Sequence, residues 1–323
     1  MEQAKFQKII LQTLAFWDMF EHPLTKEELY HGLCYTDSTD YKLDYVNYLN
    51  QLEQLVLLQQ FEQQEGFYFL AGRGAIVAIR QNRIRIIEDK MKIAKRGIRK
   101  LSKVPFVRAV FVCNTLAMGV SDEDSDIDVL VIVKNGRLWL ARLLATIVLS
   151  LFGLRRTKNK IKDKICLSFY LADNNLNLEK IAIQSPDIYL MYWINNLIPV
   201  YDPDKLHSSM MKANSWVKKF LPNGLQAYEV GVQWRVGANG RSPVPIIKNL
   251  LEKFWGGGYG DLIENQAKGI QQAKMKRNYL SLQNVGDTRV VVNDQIMKFH
   301  ETDRREEYRD RWVEKCQSFL VRL

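Results

Sequence analysis

Asp126 and Asp128 flank Ile127 where an apolar run, Ile127 to Val133, begins. Along a strand, residues two apart point to the same face, so both carboxylates project together. Side by side they repel. A hard divalent cation, Mg²⁺ or Mn²⁺, relieves that repulsion and keeps its remaining positions for water and phosphate oxygens. The chemistry this pair suits is cation-assisted phosphate handling, with a nucleoside triphosphate (NTP) as the expected ligand or substrate. Upstream, Asn114-Thr115-Leu116-Ala117-Met118-Gly119 follows an apolar stretch and reads as a tight turn opening a short helix. Amides at such an opening can cradle a triphosphate, assisted by the helix dipole. Asn114, Thr115 and Gly119 are the candidate shapers of that turn, with Ser125 leading into the acidic pair.

Such a pair needs strands to hold it. Phe106 to Cys113 and Lys164 to Leu171 are rich in β-branched and aromatic residues, and with Ile127 to Val133 they make three expected strands. Leu138 to Leu154 reads as a buried helix, because Arg142 interrupts it and it falls short of a bilayer span. Asp187 to Ile198 and His207 to Phe220 are expected as amphipathic helices on either side of Pro199-Val200-Tyr201-Asp202-Pro203. Further on, Gly-rich stretches at Gly237 to Gly240 and Gly256 to Gly260 precede an expected helix, Ile263 to Tyr279. A short strand, Arg289 to Val292, and a charged helix starting near Arg304 follow.

Residues 1–73 carry the order of a winged helix. A helix at Ile9 to Phe20 breaks at His22-Pro23, and Thr25 with Glu28 three residues on forms a capping box for a second helix. A third helix, Leu43 to Gln59, leads into a hairpin that turns near Glu65-Gly66. That third helix has no Lys or Arg after Lys42, so the phosphate attraction a groove-reading helix needs is missing. A packing or protein-contact role suits this module better than sequence-specific DNA reading. Residues 74–104 form a basic connecting helix, apolar along Ile76, Ile79, Ile84, Ile87, Met91 and Ile98, and stopped by Pro105.

The pattern resembles the DNA polymerase β-like nucleotidyltransferase superfamily, whose signature is Gly-Ser-x-Ala-x-Gly, a spacer, then Ser-Asp-x-Asp. Ala117, Gly119, Ser125, Asp126 and Asp128 match it, Thr115 keeps the hydroxyl, and Asn114 replaces the first Gly. Asn tolerates left-handed backbone better than other residues with a side chain. More closely, the chain is similar to a family of bacterial nucleotidyltransferase-domain proteins. The similar stretches are Phe20 to Thr25, Gly66 to Leu70, Val112 to Ala117, Lys164 to Tyr170 and Asp187 to Leu190. The resemblance implies an α+β fold: a nucleotidyltransferase mixed sheet with helices at 105–180, after the winged-helix-like module and before a mostly helical region at 181–323. It also implies Asp126 and Asp128 as metal ligands.

Catalysis in that superfamily adds a third carboxylate on the neighbouring strand. In Ile165 to Leu171, the alternation puts Ile165, Leu167 and Phe169 on an apolar face and leaves Cys166, Ser168 and Tyr170 for the site. None of these is acidic. Asp163 just before the strand, or Asp173 just after it, is the candidate substitute, with Asp163 the first choice. Arg137, Arg142, Arg155 and Arg156 are candidate triphosphate contacts, Arg137 foremost. His300-Glu301-Thr302-Asp303-Arg304-Arg305 packs site-like groups into six residues, although Thr302 or Asp303 could simply cap the last helix.

Composition fits this picture. Of 323 residues 47% are hydrophobic, and the formal charge is +10. Basic residues crowd Arg80 to Lys103 and Arg155 to Lys164, as suits RNA or another polyanion. Four scattered cysteines without Cys-x-x-Cys spacing exclude a zinc ribbon. The expectation is a cytoplasmic protein that does not engage a membrane. Two functions compete: transfer of NMP from an NTP to a hydroxyl of RNA, protein or a small molecule, and non-catalytic nucleotide or RNA binding on a fold without the third acid. A winged-helix regulator of duplex DNA is the third.

Overall fold

The computed structural model describes residues 2–36, 44–56, 61–224, 234–236, 246–277 and 288–320. The N-terminal part runs α1 (Glu2–Asp18), β1 (Leu24–Thr25), α2 (Lys26–His31), α3 (Tyr45–Val56), β2 (Phe61–Gln64) and β3 (Phe67–Leu70). The capping box forms as read: the Thr25 hydroxyl accepts the Glu28 amide, and the Glu28 carboxylate accepts the Thr25 amide. Glu65 and Gly66 both take positive φ, 53° and 81°. Two such residues make the two-residue turn that matches strand twist. β1 adds to the hairpin, giving a sheet in the order β1-β3-β2.

The rest of the chain runs α4 (Ile76–Leu101), β4 (Val107–Val112), α5 (Asn114–Ala117), β5 (Ile127–Val133), α6 (Leu138–Leu151), β6 (Ile165–Ala172), α7 (Ile188–Asn195) and β7 (Ile198–Tyr201). It continues with α8 (Leu206–Ala213), α9 (Ile246–Phe254), α10 (Gly258–Lys276), β8 (Val290–Val292), β9 (Ile296–Phe299) and α11 (Arg305–Leu320). The Gly237 to Gly240 stretch, and Tyr279 at the end of the expected helix, lie outside the described residues. The fold is mixed α+β. Its main sheet has the order β7-β4-β5-β6-β9-β8, with β5 and β6 parallel and the other pairs antiparallel. Among the described residues, no helix is long and apolar enough to cross a membrane.

Both faces of the sheet are covered, which is why β5 is apolar beyond Asp128. Val129, Val131 and Val133 pack with α4 and α6, where Gly97 lets α4 approach so closely that a Cβ would sit 1.9 Å from Ile165 Cδ1. Leu130 and Ile132 face the other way, into a core shared with α1, α7, α11 and the N-terminal helices. The N-terminal module is therefore packed into the same apolar core as one face of the sheet. The basic side of α4 is not all wet as expected. Arg83 and Lys90 are buried, the first holding the Phe20 and Glu21 carbonyls and Asp122, the second the Glu123 and Ser125 carbonyls and Asp163.

Candidate metal and nucleotide site

Asp128 shares its face with Leu130 and Ile132, and lies where that apolar face gives way to a pocket. Asn114 opens the turn after β4 at φ 54°, the left-handed conformation anticipated for the residue in the first glycine's place. From there its Nδ2 donates to Asp128 Oδ2 at 2.8 Å, while its Oδ1 accepts the Trp193 indole N–H. Strand, turn and helix α7 thus fix one carboxylate together. Asp126 is met by Arg156, whose Nε lies 2.9 Å from Asp126 Oδ2 and whose Nη1 lies 3.6 Å from Cys166 Sγ.

On β6 the expected alternation fails. Asp128 lies opposite Cys166, but Leu130 lies opposite Phe169, so β6 carries one extra residue at Leu167–Ser168. A bulge of this kind inverts the facing of everything beyond it. Phe169, expected on the far face, therefore lines the pocket and stacks on Trp193 with centroids 5.5 Å apart. Tyr170, expected in the site, is buried among the helices on the opposite side. Ser168 stays at the site, donating to Asp128 Oδ1 at 3.4 Å and lying 3.1 Å from His300 Nε2.

The ligand atoms of Asp126, Asp128 and Cys166 all lie within 4.8 Å of one another, and no third carboxylate joins them among the described residues. Burial and the Asp126 charge push the Asp128 carboxyl up to about 6, against the Asn114 hydrogen bond. Burial and the same two aspartates push the Cys166 thiol up to about 12, so it is neutral unless a cation joins it. The pocket above has a volume of about 500 Å³. Tyr189 and Trp193 of α7, and Phe299 to Arg305 with Tyr308, form its opposite wall.

That wall is held by buried ions. Arg305 bonds Asp187 and Asp303, Lys298 bonds Asp303, and all four side chains are at most 8% exposed. Burial opposes the charge on Asp303, yet Arg305 and Lys298 hold it down at about 2. Asp303 Oδ1 also accepts the Arg305 amide at the start of α11. Burial and the nearby cations Lys298 and Arg305 lower His300 to about 4, so its imidazole is neutral.

The other expected site residues fall elsewhere. Asp163 turns to the α4 side, its carboxylate 2.8 Å from Lys90 Nζ, and does not line the pocket. Asp173 sits at the far end of β6, accepting the Asn135 amide. Arg137 binds the Trp255 and Gly256 carbonyls and Asp261, a structural clamp away from the pocket. Arg142 is engaged with Gln271 and the Phe299 ring. Thr115, Gly119 and Ser125 build the turn from outside the pocket. Thr115 pairs with Ser121, the Ser125 hydroxyl accepts the Asp122 amide, and Gly119 takes φ 75° where an added Cβ would sit 3.2 Å from His22 Cε1. Asn114, Asp126 and Asp128, with Arg156, Cys166, Ser168 and the His300–Arg305 segment, are the expected residues that the fold brings together. Trp193, Tyr189 and Tyr308 were not anticipated. The four-residue spacing of Tyr189 and Trp193, which puts both on one helix face, was the available signal.

Compared with family models, with curated proteins and with solved structures, the chain finds no match.

Proposed function

We propose that this pocket binds a nucleoside triphosphate through a divalent cation held by Asp126 and Asp128, in a site of the nucleotidyltransferase type. One observation carries the reading. Two carboxylates lie side by side at the start of one strand, Asp126 just before β5 and Asp128 within it, at the edge of a pocket of about 500 Å³ and beside a turn whose first residue is left-handed. The donor set fits a divalent ion, because two acids and a thiol cluster there with a single guanidinium to neutralise them. When bound, the ion supplies charge neutralisation for phosphate oxygens. Asn114 and Ser168 orient Asp128, while Trp193, Phe169 and Tyr189 offer aromatic surface for a base. Lys158 and Lys160 are exposed on the segment that follows Arg156 and suit an RNA or other polyanionic partner. The winged helix suits a protein partner, since α3 carries no Lys or Arg.

Nucleotidyl transfer is the second reading. In it a hydroxyl oxygen bonds to the α-phosphorus, the bond to pyrophosphate breaks, and the hydroxyl proton passes to solvent water. That no third carboxylate joins the pair among the described residues speaks against it. The pairing of Asp126 and Asp128 at the pocket's edge favours it.

Equilibrium binding of ATP, GTP, CTP and UTP, with divalent cation and with chelator, tests the first reading. Cation-dependent binding that is lost in folded Asp126→Asn and Asp128→Asn variants supports it, and no cation-dependent binding of any of the four overturns it. Pyrophosphate release from labelled NTPs offered RNA, DNA and protein acceptors decides the second.

A further inference from the structure

We infer that Cys166 is the third ligand of the cation, and that the site therefore selects a thiophilic divalent ion of the zinc class over Mg²⁺. The inference rests on the metal reading of the pocket given above. The register sets Cys166 directly opposite Asp128 on the adjacent parallel strand. The bulge follows immediately, so Cys166 is the last β6 residue in phase with the aspartates. Its sulfur and one oxygen from each aspartate lie within a single ion's reach. The Arg156 guanidinium already spans two of the three, with Nε on Asp126 and Nη1 on Cys166. A cation is thus what this triangle holds even without a metal.

The chemistry of the set decides the ion. Mg²⁺ takes oxygen ligands in near-ideal octahedral geometry and gains nothing from sulfur. Thiolate selects zinc among the common divalent ions, and three protein ligands with one open position is the arrangement of reactive zinc sites. On binding, the Cys166 S–H proton leaves to solvent and the sulfur lone pair goes to the ion, with no change of oxidation state. The open position faces the pocket, where a phosphate oxygen or water would complete the shell.

The experiment uses the full chain freed of metal with chelator, then titrated separately with Zn²⁺, Co²⁺ and Mg²⁺. Co²⁺ reports its ligands directly, since a bound thiolate adds an intense sulfur-to-metal band in the near ultraviolet. The wild type should show that band and bind Zn²⁺ at least about 10-fold more tightly than Mg²⁺. Cys166→Ser should abolish the band and weaken Zn²⁺ by about 10-fold or more, with Mg²⁺ affinity little changed. Cys166→Asp should reverse the preference. Co²⁺ bound without the band in the wild type, a result that needs no variant to fold, overturns the inference. So does unchanged Zn²⁺ affinity in Cys166→Ser. If Mg²⁺ still binds in those cases, the two-carboxylate site stands and only the thiolate assignment falls. Failure of all three ions to bind overturns both.

Discussion

The left-handed backbone at Asn114 gives a sharp test of how the site is built. Its side chain accepts from Trp193 and donates to Asp128, so either Ala or Gly at this position loses both bonds. Leaving partly buried partners unpaired costs about 1–3 kcal/mol, shared by both substitutions. Ala carries an additional penalty, because φ is 54° here and a Cβ crowds the carbonyl in that region. That crowding costs about 1–2 kcal/mol. Gly escapes it and gives back about 0.5–1 kcal/mol as greater freedom of the unfolded chain. Asn114→Gly should therefore be less stable than wild type by about 1.5–4 kcal/mol, and Asn114→Ala lower still by up to about 1.5 kcal/mol. Urea unfolding in chelator, followed by tryptophan fluorescence and circular dichroism, gives the order of midpoints. A variant order of Ala above Gly, or an Ala variant as stable as wild type, would refute the claim that Asn114 serves both as a left-handed turn residue and as the clamp on Asp128.

Three more outcomes are expected. Asp163→Asn removes the carboxylate charge that faces the buried Lys90 ammonium and leaves it neutral oxygen acceptors, so stability should fall by about 1.5–3 kcal/mol while cation affinity is unchanged. A large loss of affinity in calorimetry would instead return Asp163 to the site. Arg156→Ala removes an ion pair that competes with the metal, with side chains 44% and 19% exposed. A pair this exposed contributes about 0.2–1 kcal/mol, so cation affinity should rise about 1.5- to 5-fold, and a fall would make Arg156 a ligand-binding group instead. For pH, the folded Asp128 value of about 6 lies above its ordinary 3.8. Its contribution to metal-free stability is therefore complete below 3.8 and is lost as pH rises through about 6. Because the ion needs the carboxylate form, the rise in melting temperature on adding cation should grow from pH 5 to pH 7. A constant rise across that range would contradict this.

Local patterning made much of the fold legible. Beyond Asp128, β5 is apolar without a break because both its faces are covered, and the Thr25–Glu28 box and the Glu65-Gly66 turn are written in residues close in the chain. Asn114 was legible for the same reason, as the residue best able to stand in for glycine in a left-handed turn. What failed depended on partners distant in the chain. Nothing in Leu167-Ser168 marks a bulge, and the one extra residue exchanged the roles of Phe169 and Tyr170. Asp163 was claimed by Lys90, 73 positions away, and Arg137 by a loop 118 or more residues on. β7 was hidden by Pro199, which reads as a break but is tolerated here because β7 is the edge strand.

The most direct test is a crystal structure with Mn²⁺ or Zn²⁺ and a non-hydrolysable NTP analogue, the ion located by its anomalous scattering. The expected result is an anomalous peak bonded to both Asp126 and Asp128, with Arg156 displaced from Asp126 and triphosphate oxygens completing the ion's shell in the pocket. An ion bound elsewhere, or nucleotide bound outside this pocket with the Arg156–Asp126 pair intact, would contradict the assignment.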